Sequence, residues 1–542
     1  MAKFKNLEST PYFKIIFLLI LMIYGCASIQ QPQGGPRDTT PPKVLSMIPE
    51  NLSTNFNSKK IVIEFDEYFK LNNEIKEFSI SPELNIAPTL KVRSKKLEIT
   101  FTDTLEKNTT YTLNFGKAVV DVNESNEVKN FTYVFSTGPV LDSLSIKGRV
   151  TDSKTGKPVL DAVAFIIPID RDTIFGKRRP SIYSTTDSSG NFSINNLRKN
   201  TYRMYALKET NGDKIYQQPT DEIGFIKDTI VLEGNLDSMN IQLFKEDAPS
   251  FRILERKLDK DGSINFVFNQ KLKKPQVVVM DPPALDVSKK VRFSKNNDSL
   301  RVWLTDLSFD STKISIRNND TLLQTVTLTR GKKETYTRNL TAVNNLDGTA
   351  LNPNTPLRLT FNFPIDSVDK SKITFLEDSV AMSNFTITKD SLDFLSYYVR
   401  YPWRNKRNYD IKYGAGAFTG IFNTKNKEFG QVFALASKDD YGTLITKIIL
   451  PEKNKSYILE VLNENSAVVN TIVAKQDTTV SFNNYKAGKY FVRITYDTNK
   501  NGVWDTGNVS LRVQPEKIWN EPKEMSIKAN WERNEVITVP KE

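Results

Sequence analysis

The densest run of side chains able to do chemistry is Asp497-Thr498-Asn499-Lys500-Asn501-Gly502-Val503-Trp504-Asp505. Oxygen-bearing side chains fall at alternate positions, a glycine stands sixth and a carboxylate ninth, which is the first three-quarters of a calcium-binding loop. Asp497, Asn499, Asn501 and Asp505 would offer side-chain oxygens to one hard cation and Val503 its carbonyl, while Gly502 permits the sharp turn. Position twelve is Asn508 in place of a bidentate glutamate, so the expected affinity is modest. The same residues also spell an Asn-Gly hairpin turn. At an offset of 288, Glu209, Asn211, Asp213 and Gln217 stand opposite Asp497, Asn499, Asn501 and Asp505, keeping oxygens at three positions and losing the last carboxylate. No cofactor is required by this reading, and calcium is the possible one.

Other chemistry is sparse. The 542 residues contain no histidine, which removes Ser-His-Asp and Cys-His nucleophile systems and histidine acid/base work. One cysteine, Cys26, excludes intramolecular disulfides and thiolate clusters. Ser367-Val368-Asp369-Lys370 and Lys154-Thr155-Gly156 match motifs of serine acyl-enzymes, in which the serine motif comes first and sits on a helix; here the order is reversed and Lys154-Thr155-Gly156 fits a hairpin turn. Lys147, on a first strand, has no assignable partner for an isopeptide bond. Tyr397, Tyr398, Tyr401 and Trp403 break strand alternation and offer a possible sugar-stacking surface. The 75 Lys and Arg against 63 Asp and Glu leave a net charge of +12 that is spread along the chain. Nucleic-acid binding, which needs a focused basic face, is therefore not expected.

The elements that must carry these residues are strands. Lys60–Phe65, Leu97–Phe101, Tyr111–Phe115 and Phe131–Phe135 alternate apolar and polar residues with period two. Turn-rich segments separate such runs, which predicts sandwiches of short antiparallel strands. Internal comparison divides the chain further. Ile61, Ile63, Phe65, Leu97, Ile99 and Asp103 recur at a constant offset of 203 as Ile264, Phe266, Phe268, Leu300, Val302 and Asp306. Tyr111, Leu113, Gly116, Phe131 and Phe135 recur at an offset of 298 as Tyr409, Ile411, Gly414, Phe429 and Phe433. A second repeat, Ile194-Asn-Asn-Leu197 with Tyr202 and Met204, recurs at 288 as Phe482-Asn-Asn-Tyr485 with Tyr490 and Val492. The expected order is A-B-A-A-B, with A at 39–139, 247–334 and 340–437 and B at 142–245 and 440–542.

The amino terminus reads as an address. Lys3, Lys5 and Lys14 precede an uncharged apolar run, Ile15–Tyr24, too short to span a bilayer stably. The run ends at Ile23-Tyr24-Gly25-Cys26, which resembles the lipobox of bacterial lipoproteins. That resemblance implies a signal peptide over 1–25, a diacylated Cys26 as mature amino terminus and a Pro/Gly-rich tether over 26–38. Ala27-Ser28 lacks the aspartate that retains many lipoproteins at the inner membrane, so outer-membrane anchoring is expected, with the periplasmic face preferred over the cell surface.

Asp38-Thr-Thr-Pro-Pro-Lys-Val44, Pro49-Glu-Asn51, Glu64-Phe65-Asp66-Glu67, Asn108-Thr-Thr-Tyr111 and Phe135-Ser-Thr-Gly138 resemble the bacterial Ig-like domain of S-layer (SbsA) type. The copy at 247–334 is degenerate, lacking the Thr-Thr-Pro-Pro opening and the closing Phe-x-Thr-Gly. Gly148-Arg-Val150, Thr155-Gly-Lys-Pro-Val159, Asp187-Ser-Ser-Gly-Asn-Phe192 and Thr201-Tyr202 resemble carboxypeptidase-regulatory, transthyretin-like domains. Both resemblances imply all-β, mostly non-enzymatic modules. The expected fold is thus all-β, tandem Ig-like and transthyretin-like sandwiches behind a signal peptide. The expected role is a non-enzymatic spacer or protein-docking module of the cell envelope, partnered by the outer membrane and an envelope protein or polysaccharide. The alternative is a calcium-assisted glycan- or polymer-binding adhesin.

Overall fold

The computed structural model describes residues 37–218, 220–331, 335–353 and 355–542. Signal peptide, Cys26 and nearly all of the tether lie outside the described residues. The chain divides into two compact units, Met1–Leu141 and Asp142–Glu542. Both are built of β-sheet, as the period-two alternation requires. In Lys60–Phe65, for instance, Ile61, Ile63 and Phe65 are fully buried while the residues between them are not. Among the described residues no helix is long and apolar enough to cross a membrane.

In the first unit a four-stranded sheet runs in the order Val44–Ile48, Lys60–Phe65, Lys96–Thr100, Thr89–Arg93. A three-stranded sheet, Ser79–Ser81, Thr110–Gly116, Phe131–Ser136, closes the sandwich. One core lies between them, led by Phe65, Tyr111, Phe115 and Phe135. Each such ring fully removed from water contributes roughly 1.5–3 kcal/mol.

In the second unit the sequence repeats reappear as matching registers. Ile61 lies opposite Ile99 and Ile63 opposite Leu97; at the offset of 203, Ile264 lies opposite Val302 and Phe266 opposite Leu300. Tyr111 faces Phe135, and its hydroxyl accepts the Glu106 N–H at 2.9 Å. At the offset of 298, Tyr409 faces Phe433 and accepts the Arg404 N–H at 2.6 Å. The B repeats agree in one tyrosine bond, while the strand partners of those tyrosines shift by seven residues, from Pro168 opposite Tyr202 to Asn463 opposite Tyr490. The Tyr202 hydroxyl donates to the Arg198 carbonyl at 3.0 Å and Tyr490 to the Lys486 carbonyl at 2.8 Å, again 288 apart. In each B repeat the first strand pairs in parallel with the last: Leu144–Asp152 with Ile241–Lys245, and Tyr441–Ile449 with Glu532–Thr538.

Two contacts bind repeats that the sequence leaves separate. Trp303, at the end of strand Ser299–Trp303, is fully buried in the core of the next A repeat, edge-on to Phe394, and Arg292 bridges to Asp393 at 2.9 Å. The segment 506–514 of the last repeat lies on the first B repeat, more than 260 residues earlier. Val509 completes a core of Phe165, Tyr205, Phe225 and Phe244. Thr506 Oγ1 donates to the Lys245 carbonyl at 2.6 Å and Gln514 Nε2 to the Phe225 carbonyl at 2.7 Å. The Arg512 guanidinium stacks on Phe225 and donates to the carbonyls of Ile226 and Lys227. A Cβ at Gly507 would sit 2.6 Å from the Phe244 ring, so only glycine admits this approach.

Candidate functional site

The loop 497–505 is positioned by the ten-residue strand Gly488–Asp497, whose last residue turns inward. Asp497 is 2 % exposed. Its carboxylate accepts the Ser456 hydroxyl at 2.6 Å and the backbone N–H groups of Asn501 and Gly502 at 3.0 and 3.1 Å. Gly502 takes a φ of +77°, the left-handed conformation expected of that turn. The amide nitrogens of Asn499 and Asn501 donate to Asp505 Oδ2 at 2.5 and 2.6 Å, while their oxygens accept loop N–H groups. Val503 is exposed. Asp497, Asn499, Asn501 and Asp505 therefore come together in a network of loop hydrogen bonds, which Val503 joins through its N–H.

The sequence pattern missed Glu516. Its carboxylate accepts the N–H of Thr498 at 2.7 Å and of Asp505 at 3.1 Å, and burial, with the Asp505 charge beside it, pushes its carboxyl above the usual range. It stands beyond Asn508, where a loop pattern places position twelve, so spacing gave no signal for it. Among the described residues no three His, Cys, Asp or Glu side chains converge to hold a metal. A hard cation at this loop would depend on the amide oxygens and the Val503 carbonyl beside the carboxylates, a donor set of the type calcium accepts.

The loop 209–217 repeats the head of the construction, with the bond between its fifth and ninth residues reversed in direction. Glu209 accepts the N–H groups of Asp213 and Lys214 at 3.2 and 2.7 Å, as Asp497 accepts those of Asn501 and Gly502. Ile215 N–H donates to Asp213 Oδ1 at 2.9 Å, as Val503 does to Asn501. Gln217 takes the place of Asp505: its Nε2 donates to Asp213 Oδ2 at 2.8 Å and its Oε1 accepts from Asn211 at 3.2 Å. Burial, followed by the hydrogen bond and negative charge of Asp213, pushes the Glu209 carboxyl up to about 7.

A groove of about 580 Å³ opens on the outer face of the sheet that carries Trp303. Lys257, Arg292 and Arg301 line it beside Glu255 and Asp259, with Phe361 of the next repeat as a wall. Arg301 Nε donates to Asn265 at 2.8 Å, and the buried Trp303 Nε1 has no acceptor among the described residues.

The remaining candidates are held in packing. Lys370 Nζ donates to the carbonyls of Ser383 and Phe385, not toward Ser367. Lys147 is exposed, outside any apolar pocket of the kind an isopeptide needs. The aromatic cluster is core: Tyr397 is buried, the Tyr401 hydroxyl donates to Glu377 at 2.7 Å, and Trp403 packs on Phe375, Tyr409 and Phe433. A stacking face for sugar is not formed there.

Comparison with known proteins adds one family. Among curated proteins no sequence matches the chain. Solved structures aligned to it include BcpA, the major pilin subunit of Bacillus cereus (13 % identity, TM-score 0.13, 73 % of this chain and 99 % of that one). The S-layer protein rSbsC(31-844) aligns at 15 % identity and TM-score 0.14, over 90 % of this chain and 68 % of that one. A third is SGBP-B of the Bacteroides ovatus mixed-linkage glucan utilization locus, in complex with a mixed-linkage heptasaccharide (10 %, TM-score 0.18, 70 % and 93 %). TM-scores this low carry no functional weight. Residues 38–137, by contrast, match the family model of the bacterial Ig-like domain, so the first sandwich of this chain is a domain of that family.

Proposed function

We propose that the protein is a non-enzymatic, multi-domain spacer or docking module of the bacterial cell envelope, anchored to the outer membrane through lipid on Cys26. The observation supporting this reading is where the chemically able side chains go. The repeated tyrosine hydroxyls, the loop carboxylates and Lys370 each hold backbone in place, and the segment 506–514 fastens the last repeat to the first B repeat. Such a build suits a part that keeps partners at fixed spacing. The modules at 142–245 and 440–542 are read as transthyretin-like. Metabolic labelling with palmitate tests the anchor: label in the wild type and none in Cys26→Ala is expected, and label persisting in Cys26→Ala removes the reading.

A second reading is a calcium-assisted adhesin for a glycan or anionic polymer, favoured by the basic groove beside Trp303 and by the Asp497–Asp505 loop. Calorimetry on the full chain tests it, because a fragment over 440–542 would lose the seat of 506–514. The expected result is heat on Ca²⁺ addition that disappears in Asp505→Asn; no heat in the wild type ends this reading.

A further inference from the structure

The three A repeats differ in how they finish their second sheet. In the first, the segment after the opening strand swings across and covers the outer edge of the last strand, Phe131–Ser136. Leu52 N–H donates to the Val134 carbonyl at 2.7 Å, Ser136 N–H to Ser53 at 2.8 Å and Phe56 N–H to Ser136 at 2.9 Å, a parallel cover. In the third, Ala350–Leu351 does the same for Phe429–Leu435, again in parallel. The connecting segments that make these covers run over eleven residues (49–59) and twelve (345–356). In the middle repeat the corresponding segment is five residues, 259–263, closed as a tight turn by Gly262 N–H on the Asp259 carbonyl at 2.8 Å. It cannot reach across.

The last strand of that repeat, Thr321–Thr329, is therefore a bare edge: its sheet runs Pro275–Asp281, Ser311–Asn318, Thr321–Thr329, and among the described residues no strand pairs beyond it. Its nine residues, Thr-Leu-Leu-Gln-Thr-Val-Thr-Leu-Thr, contain no charge and no proline. Long, uncharged edges are those that pair with other chains, and proteins normally block them with lysine, proline or a cover. One bulge, at Leu323, lies near the turn end. Arg330 N–H donates inward to Asp310 at 2.8 Å, so along the regular part the even residues bond to the neighbouring strand and Thr325, Thr327 and Thr329 direct their N–H groups outward.

We propose that this edge is a self-association surface, on which the strand Thr321–Thr329 of a second copy of this chain pairs antiparallel about Thr325. A two-fold axis places one edge strand against itself only in the antiparallel sense. An uncharged strand brings no like charges together when it meets its own copy. The charges at its two ends are complementary. Asp320 precedes the strand and Arg330 follows it, so pairing about Thr325 brings Asp320 of each copy beside Arg330 of the other. Asp320 is exposed and accepts from Gln276 Nε2 at 2.9 Å; Arg330 donates to the Leu307 carbonyl with the Asp306 charge nearby; among the described residues neither forms a salt bridge.

Sedimentation velocity on the full chain over a concentration series tests this. A monomer–dimer equilibrium is expected for the wild type. Thr325→Pro removes an outward N–H at an edge position where proline is tolerated, so a folded monomer by circular dichroism is expected. Asp320→Arg and Arg330→Asp each place like charges at both ends of the pair and should weaken dimerisation by about threefold or more. The double reversal Asp320→Arg/Arg330→Asp should restore it, which no purely structural loss would do. A wild type that is monomeric throughout, a dimer indifferent to Thr325→Pro, or single reversals that the double does not rescue would each overturn the proposal. A strand from a different protein as the true occupant would appear as the first of these.

Discussion

The loops 209–217 and 497–505 share the head of one hydrogen-bond scheme and differ in where their charged side chains stand. The first has a glutamate at the head and a glutamine at the ninth position; the second has Asp497 and Asp505 there. Partial burial of Glu209, and after it the hydrogen bond and charge of Asp213, push its carboxyl up to about 7. Asp497 meets the Ser456 hydroxyl instead, and the matching position to Asp213 is the neutral Asn501. The comparison teaches that the scheme itself is a scaffold for a turn, independent of any ion. The two loops differ at the ninth position, where Asp505 carries a carboxylate and Gln217 a neutral amide.

The largest way to break the comparison is at the head residue. Asp497→Ala leaves the Ser456 hydroxyl and two loop N–H groups without their charged acceptor and should cost about 3 kcal/mol in denaturant unfolding. Glu209→Gln, which imitates the protonated acid, should cost well under half of that. Next is the seat that lies beside the second loop only. Arg512→Ala removes the stacked guanidinium and its bonds to the Ile226 and Lys227 carbonyls; about 2 kcal/mol of stability should be lost, read as faster proteolysis within 506–514.

A smaller signature is pH. Glu209 has a folded pKa of about 7 against an ordinary 4.5, so the folded state holds a proton that the unfolded state releases. Stability contributed by this group is full below about pH 4.5, falls as pH rises toward 7 and is flat above. Glu209→Gln should remove that slope in a melting-temperature series, and a slope unchanged in the variant would refute the assignment. The finest test converts one loop toward the other. Gln217→Asp supplies the ninth carboxylate, and if that residue governs cation binding, a small Ca²⁺-dependent rise in melting temperature should appear in the first loop.

Much of the fold was legible because its signals are local. Alternation in Lys60–Phe65 follows from the geometry of one strand, and the offsets of 203 and 298 carry strand registers because each repeat folds against itself. Tyr111 with Tyr409 and Tyr202 with Tyr490 even bond to matching backbone groups. The site was legible in part. Asp497, Asn499, Asn501 and Asp505 are neighbours in sequence and stay neighbours in space, whereas Glu516 arrives by a return of the chain. The aromatics at 397–403 misled, because a break in alternation marks a turn into the core as readily as a surface: Trp403 packs on Phe433.

The bare strand Thr321–Thr329 shows the boundary between the two kinds of information. Its lack of charge can be read from nine letters, but that it is an edge depends on a five-residue turn sixty residues earlier and on which strand that turn fails to cover. Composition and periodicity by themselves settled a β-built chain without histidine chemistry, since backbone pleating acts residue by residue. Tertiary structure alone decided that Val509 and Arg512 seal the first B repeat, that Trp303 belongs to its neighbour's core and that one edge stands open, since those outcomes are set by which distant surfaces exclude water together.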